Sequence, residues 1–233
     1  KFRTWQDERI VRKFDKFVVL SQEDKGYWGE LPNIQVIPNA ALFVAQQHSE
    51  VSKKRVIAVG RLDYQKGFDR LIEAWRLVQQ REEFQDWQLD IFGQGEWKEM
   101  LQDRVKHYGL QDTLHINEPT KNIGEEYANS SLLVMSSNYE GFPMVMIEGM
   151  ACGLPVVSFD FKCGPKDIIQ HEQNGLLVKN GDIPGLAEAM MKVMGDEALR
   201  KRMSEEAKKV TETYSEEKVM KQWVELFEGL VRK

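Results

Sequence analysis

From Arg55 onward the chain alternates short β-branched apolar runs with segments of helical spacing, and this restricts the fold more than any other feature. Arg55–Val59 (RVIAV), Gln88–Phe92, Thr113–Ile116, Leu132–Ser136, Val156–Phe159 and Leu176–Val178 read as strands. Phe68–Val78 puts Phe68, Leu71, Ile72, Trp75 and Val78 on one helix face. Glu96–His107, Gly124–Asn129, Val145–Ala151 and Ile183–Met194 read as further helices. Such repetition predicts an α/β fold, with a parallel sheet covered by helices on both faces. Glu197–Thr213 and Glu216–Val231 are expected to close the chain as two helices, broken at Tyr214-Ser215 with Ser215 as N-cap. The stripe Val219, Trp223, Leu226, Phe227, Leu230 on the last helix reads as a packing face.

The beginning of the chain has a different character. Thr4–Phe14 reads as an amphipathic helix and Phe17–Leu20 as a strand ending at Ser21. Ile34–Pro38 leads through Asn39 into the polar stretch Gln46–Lys54 (QQHSEVSKK). The expected organisation is a remnant of an N-terminal lobe at 1–40, a linker at 41–54 and a domain at 55–233, the last helix packing back toward the first lobe. The chain starts at Lys1 rather than Met, and a preceding part of the parent protein is expected.

Composition narrows the class. Of the 233 residues 42% are hydrophobic and 30% charged, enough apolar content for a core, which excludes disorder, collagen and coiled coil. The formal net charge of −5 disfavours general nucleic-acid binding, though not a small cationic pocket. No apolar run approaches the ~20 residues of a membrane span. Cys152 and Cys163 read as two reduced thiols, buried or half-buried. His48, His107, His115 and His171 share no metal-ligand spacing with one another or with a cysteine.

In open α/β sheets ligands bind beyond the carboxyl ends of the strands, so the loops there carry the chemistry. Gly60-Arg61-Leu62-Asp63-Tyr64-Gln65-Lys66-Gly67 holds two cations at a strand-to-helix junction. A forked guanidinium and a point-charge ammonium suit a diphosphate, unless both are simply solvated loop charges. Gly93-Gln94-Gly95 lacks the third glycine of a dinucleotide fingerprint, since Lys98 stands there, so a nicotinamide cofactor is disfavoured. Its glycines are expected to permit a tight turn, against a ligand or otherwise. In Asn138–Glu148, Glu140 and Glu148 are separated by Gly141–Pro143 at the start of a helix. Carboxylates accept hydrogen bonds from sugar and ribose hydroxyls. The plainer alternatives are a loop salt bridge for Glu140 and helix-dipole stabilisation by Glu148.

These pieces resemble the C-terminal, nucleotide-sugar-binding domain of family 4 retaining glycosyltransferases, which have the two-lobed GT-B fold. The resemblance covers Phe17 to Val231. It rests on Val18–Ser21, Val36-Ile37-Pro38-Asn39, Val59-Gly60-Arg61-Leu62 with Lys66-Gly67, Glu140-Gly141-Phe142-Pro143 with Glu148, Gly153-Leu154-Pro155-Val156-Val157 and Asn174-Gly175-Leu176-Leu177-Val178. It implies a Rossmann-like sheet and a donor substrate that is a nucleoside-diphosphate sugar, with uridine the expected base. It implies that Gly60, Arg61 and Lys66 meet the diphosphate and that Glu148 accepts from the ribose. It also implies that Glu140 faces the transferred sugar, beside the backbone of Gly141, Phe142, Pro143 and Met144. The base would lie near Asn117, Glu118, Pro119 and Thr120. Glu140, Arg61 and Lys66 would be the catalytic groups.

The resemblance further implies transfer without a metal or other cofactor, in keeping with the lack of an Asp-x-Asp pair. A glycan or lipid-linked acceptor would be held by the other lobe, together with a catalytic His. A cytoplasmic location, or the inner face of the membrane by peripheral association, goes with that activity. In Cys163-Gly164-Pro165-Lys166-Asp167-Ile168-Ile169 the chain departs from the commoner version, which has Glu where Asp167 stands. In this it resembles enzymes that extend lipid-linked or surface polysaccharides with N-acetylhexosamines. The competing expectations are a non-catalytic nucleotide- or carbohydrate-binding module and another GT-B enzyme, such as a sugar-nucleotide epimerase.

Overall fold

The computed structural model describes residues 5–41 and 45–231, with side chains from Glu8 onward. Thr4, where the first helix is expected to begin, lies outside them, as do residues 42–44 of the expected linker and the last two residues. A small N-terminal unit comes first: α1 (Trp5–Val11), β1 (Phe17–Val19), α2 (Gln22–Trp28) and β2 (Ile34–Val36). The strands pair in parallel, Phe17 opposite Ile34 and Val19 opposite Val36. Val11, Val19, Leu31 and Ile34 form its own small core.

Two features here differ from the expectation. α1 ends at Val11 instead of running to Phe14, because Asn33 Nδ2 donates to the carbonyls of Val11 (2.8 Å) and Phe14 (2.9 Å) and so takes over the helix end. α2 was not anticipated. It begins at Ser21, whose hydroxyl accepts from the Asp24 N–H at 3.0 Å, an ordinary N-cap.

The strand–helix alternation then builds the large sheet. Its elements are β3 (Arg55–Val59), α3 (Phe68–Gln79), β4 (Gln88–Phe92), α4 (Lys98–His107), β5 (Leu114–Asn117) and α5 (Ile123–Ala128). They continue as β6 (Leu132–Met135), α6 (Met144–Ala151), β7 (Val156–Asp160), α7 (Pro165–Ile168), β8 (Gly175–Lys179) and α8 (Ile183–Gly195). The strand order is β5-β4-β3-β6-β7-β8, and every pairing is parallel. The all-apolar β6 is buried along its whole length, as a central strand covered on both faces requires. α3 packs on α8, and α6 packs on α5 and on the helices that follow α8. One core runs through the sheet from Trp75 and Leu101 to Phe159 and Met203.

The expected helix over 197–213 is divided into α9 (Glu197–Lys208) and α10 (Val210–Thr213). The shift at Lys209 goes with burial of Val210 and Tyr214. α11 (Glu216–Val231) follows, with Ser215 Oγ accepting from the Lys218 N–H at 3.3 Å. Val219 and Leu226 of α11 close over Ile37, with Val18 and Ala40 at the margin. The polar stretch before β3 lies on the large domain. The Ser49 N–H donates to the Cys152 carbonyl at 2.8 Å, and Arg200 Nε donates to the Val51 carbonyl at 3.1 Å. Among the described residues no helix is long and apolar enough to cross a membrane.

Candidate functional site

β3 and β6 lie side by side, but the chain leaves β3 toward one edge of the sheet and β6 toward the other. Their following loops therefore part, and a crevice opens between them at the carboxyl ends, the usual ligand position in such sheets. Two of the loops singled out in the sequence, Gly60–Gly67 and Asn138–Glu148, are located here.

The loop after β3 is locked to the loop after β4. Gly60 N–H donates to the Phe92 carbonyl (3.0 Å), Leu62 N–H to that of Gln94 (2.9 Å), and Trp97 N–H to that of Leu62 (2.9 Å). A Cβ on Gly93 would stand 1.9 Å from the Gly60 oxygen, and one on Gly95 2.4 Å from the Leu62 oxygen. The tight turn expected at Gly93-Gln94-Gly95 is thus needed for backbone to meet backbone. Gly67 has φ of 60°, and a Cβ there would stand 2.4 Å from the Ser136 carbonyl oxygen.

Lys66 Nζ lies 2.6 Å from Glu140 Oε1. The same oxygen accepts from Ser137 Oγ at 2.7 Å, and Oε2 accepts from Gln65 Nε2 at 2.9 Å. Gln65 is the middle of a chain, because its own Oε1 accepts from Arg61 Nη2 at 3.1 Å. Arg61 also pairs with Asp63 at 3.0 Å, yet its side chain is 70% exposed and keeps donors free for a ligand. The two loops are joined by backbone as well. Asn138 N–H donates to the Gln65 carbonyl (2.7 Å), Asn138 Nδ2 to that of Tyr64 (2.6 Å), and Ser136 Oγ to that of Lys66 (3.0 Å). Arg70 reaches from α3 to the Ser136 carbonyl and to Asn180 Oδ1 (3.0 Å).

Glu148, on α6, lines a cavity of about 370 Å³ together with Gly60, Arg61, Gln94, Pro119 and Thr120. Phe92 and Ile123 supply part of its apolar wall. Glu148 Oε2 accepts from Tyr127 Oη at 3.3 Å. Burial pushes the Glu148 carboxyl above its ordinary range, against the opposing effects of the Tyr127 bond and the Lys66 charge.

The remaining candidates divide. Pro119 reaches the cavity. Asn117 instead donates from Nδ2 to Asp90 Oδ1 at 2.9 Å, and Glu118 is paired with Lys98. In the segment before α6, Gly141 is exposed, while Phe142 packs its ring edge-on to Tyr214 with centroids 5.7 Å apart. Pro143 is buried, and a Cβ on Gly164 would stand 2.4 Å from its ring. The Met144 N–H is taken by the Phe142 carbonyl at 3.0 Å. The Glu140 N–H donates to the Lys162 carbonyl at 3.3 Å, so the loop after β7 also holds the loop after β6. Asp167, on α7, accepts the Gln22 N–H at 2.6 Å and ties α7 to α2. Among the described residues no three His, Cys, Asp or Glu side chains are grouped to hold a metal ion.

Gln65, Ser137 and Tyr127 were missed from sequence. Gln65 lies within the Gly60–Gly67 loop already singled out and Ser137 directly precedes the Asn138–Glu148 segment, so position was a usable signal for both. Tyr127 carries no such signal, because the contact with Glu148 exists only once α5 is packed on α6.

Residues 42–210 match the family described as glycosyl transferases group 1. The chain is 36% identical over 223 residues to the amylovoran biosynthesis glycosyltransferase AmsD of Erwinia amylovora, covering 90% of this chain and 61% of that protein. It is 34% identical to an exopolysaccharide phosphotransferase of Streptomyces coelicolor, over 93% of this chain but 24% of the other. Among solved structures it resembles TarM of S. aureus, crystallised with fondaparinux, α-GlcNAc-glycerol and UDP. The TM-score is 0.83 at 27% identity, covering 95% of this chain and 46% of TarM. The chain thus spans only part of the length of each.

Proposed function

The chain belongs to the glycosyl transferase group 1 family, and from that membership we propose that it is the donor-binding half of a retaining glycosyltransferase. The donor is a nucleoside-diphosphate sugar, a UDP-linked hexose or N-acetylhexosamine, and the acceptor is a glycan or lipid-linked glycan of a surface polysaccharide. The observation that carries this reading is the convergence of Gly60, Arg61, Pro119, Thr120 and Glu148 on one cavity, with the Lys66–Glu140 pair adjoining it. The UDP in the TarM crystal supports the choice of base.

In this reading the nucleotide lies across the crevice. Glu148 accepts from the ribose hydroxyls. Arg61 uses its exposed fork on the diphosphate, and Lys66, with further N–H donors beyond the one on Glu140, adds point charge. As the glycosidic bond breaks, negative charge grows on the leaving phosphate. Fixed cations and the start of α6 stabilise it where it develops, which favours the transition state over the ground state. Glu140, already held on both oxygens, keeps a fixed orientation toward the sugar. The location that goes with this donor is the cytoplasm or the inner face of the membrane.

The test is calorimetry of this chain with UDP, GDP, ADP and their sugars, with and without a chelator. One nucleoside diphosphate binds, and the chelator leaves its affinity unchanged. Absence of binding to all of them removes the reading, and loss of binding in chelator removes its metal-free form. A second reading, a nucleotide- or carbohydrate-binding module without turnover, draws on the Streptomyces relative, in which the matching part is a quarter of a protein with another stated activity. Release of free nucleotide during sugar transfer distinguishes transfer from binding alone and from epimerisation.

A further inference from the structure

We infer that Tyr127 is a positioning residue for the nucleotide site, its phenol holding one oxygen of the Glu148 carboxylate so that the group stays turned into the cavity. The inference rests on the reading of Glu148 as the ribose acceptor. Tyr127 is fully buried, and a buried phenol needs a hydrogen-bond partner. Its Oη donates to Glu148 Oε2 at 3.3 Å. Ile123 stands one turn earlier on the same face of α5 and lines the cavity, and Pro119 and Thr120 line it from the segment before. One short helix thus supplies part of the cavity wall and the group that aims the carboxylate.

The groups facing Glu148 come from three elements. Tyr127 approaches from α5, and the Lys66 charge acts from the loop after β3, with Arg61 sharing the cavity. Cys152 lies one turn on, as the residue that caps the end of α6, and its thiol is pushed up to about 12 by burial and by the Glu148 charge. Burial works against an ionised Glu148, whereas the Tyr127 bond and Lys66 work for it. Without the phenol, burial is opposed by Lys66 alone. The carboxyl then holds its proton to higher pH, and its free oxygens lose their fixed direction.

The experiment uses Tyr127→Phe, which keeps the ring and removes only the hydroxyl. Two measurements are made: the titration of the Glu148 side-chain carboxyl by carbon NMR in the free chain, and calorimetry with UDP and 2′,3′-dideoxy-UDP at low and high pH. We expect the Glu148 midpoint to move up in the variant. UDP affinity falls roughly fivefold to tenfold, the scale of one lost hydrogen bond, and falls more at the lower pH. Dideoxy-UDP affinity stays the same, and in a Glu148→Gln background Tyr127→Phe has no further effect. An unchanged midpoint, or equal losses for both nucleotides, overturns the inference and makes Tyr127 a packing residue. If the midpoint rises but the wild-type chain binds UDP and dideoxy-UDP alike, the ribose reading of Glu148 fails, and the positioning role falls with it.

Discussion

Lys66 Nζ and Glu140 Oε1 stand 2.6 Å apart, with side chains only 14% and 7% exposed, so the cation loop and the carboxylate loop share a largely buried ion pair. Removing one member of such a pair leaves the other charge without its counter-ion. Lys66→Met is therefore expected to lower stability by about 3 kcal/mol in urea unfolding. Lys66→Met combined with Glu140→Leu should recover most of it. A single variant as stable as the wild type would show that the pair contributes nothing to the fold.

Arg61 differs, because it is mostly exposed and its partners are local. Arg61→Ala should leave the unfolding midpoint in place. Its affinity for UDP should drop at least tenfold, since a hydrogen bond to a charged group is worth about 1.5–3 kcal/mol. Uridine binding should not change. Calorimetry showing the same loss for uridine would remove Arg61 from the diphosphate.

Glu148 is expected to cost the fold stability at neutral pH. Its folded carboxyl lies above the ordinary 4.5 because burial outweighs its partners. A raised carboxyl means that the folded state binds the proton more tightly than the unfolded state. Its stabilising contribution is present below 4.5 and is lost as pH rises through the folded value. Glu148→Gln, which cannot ionise, should become progressively more stable than the wild type as pH is raised from 4 to 7. A stability difference independent of pH would contradict this.

Glu140 should serve the sugar. In Glu140→Ala the affinity of this chain for UDP should hold, whereas the extra affinity of the preferred UDP-sugar over UDP should disappear. The comparison is made by calorimetry at one pH. If UDP affinity falls as much as UDP-sugar affinity, Glu140 acts by holding Lys66 in place.

Two glycines provide a structural contrast. Gly93→Ala puts a methyl against the Gly60 carbonyl, whereas a Cβ on Gly141 would meet nothing within 4 Å. Overpacking costs about 1–3 kcal/mol, so thermal unfolding of Gly93→Ala should begin clearly earlier and its UDP affinity should fall. Gly141→Ala should match the wild type in melting temperature. Equal melting of the two variants would contradict the close backbone contact.

The sheet was legible because β-branched runs and helical spacing are local properties of the chain. Strand ends moved by a residue or two, as at β5 and β8, since pairing with neighbours decides where a strand stops. α1 was overestimated because Asn33, 19 residues after Phe14, ends it. α2 escaped because it has no buried face of its own to give a periodic signal. The loops with Arg61, Lys66 and Glu140 could be found by position alone. Their mutual arrangement could not, since the Gln65 link and the Lys66 pair join residues 74 or 75 positions apart. Asn117, Glu118 and Pro119 came from the resemblance alone, since nothing in that segment signals a nucleotide base, and side chains that follow one another along an extended segment point different ways. Asn117 turns to Asp90 and Glu118 to Lys98.

The ties from Asn138 and Ser136 to the backbone of Tyr64, Gln65 and Lys66 join loops that belong to opposite halves of the sheet. Loops held only at their ends must be ordered when a ligand arrives, and the lost conformational entropy weakens binding. Here the cross-links already remove that freedom, so the separation between the cations and the carboxylate is preorganised. Little of a ligand's interaction energy is then diverted into assembling its own site.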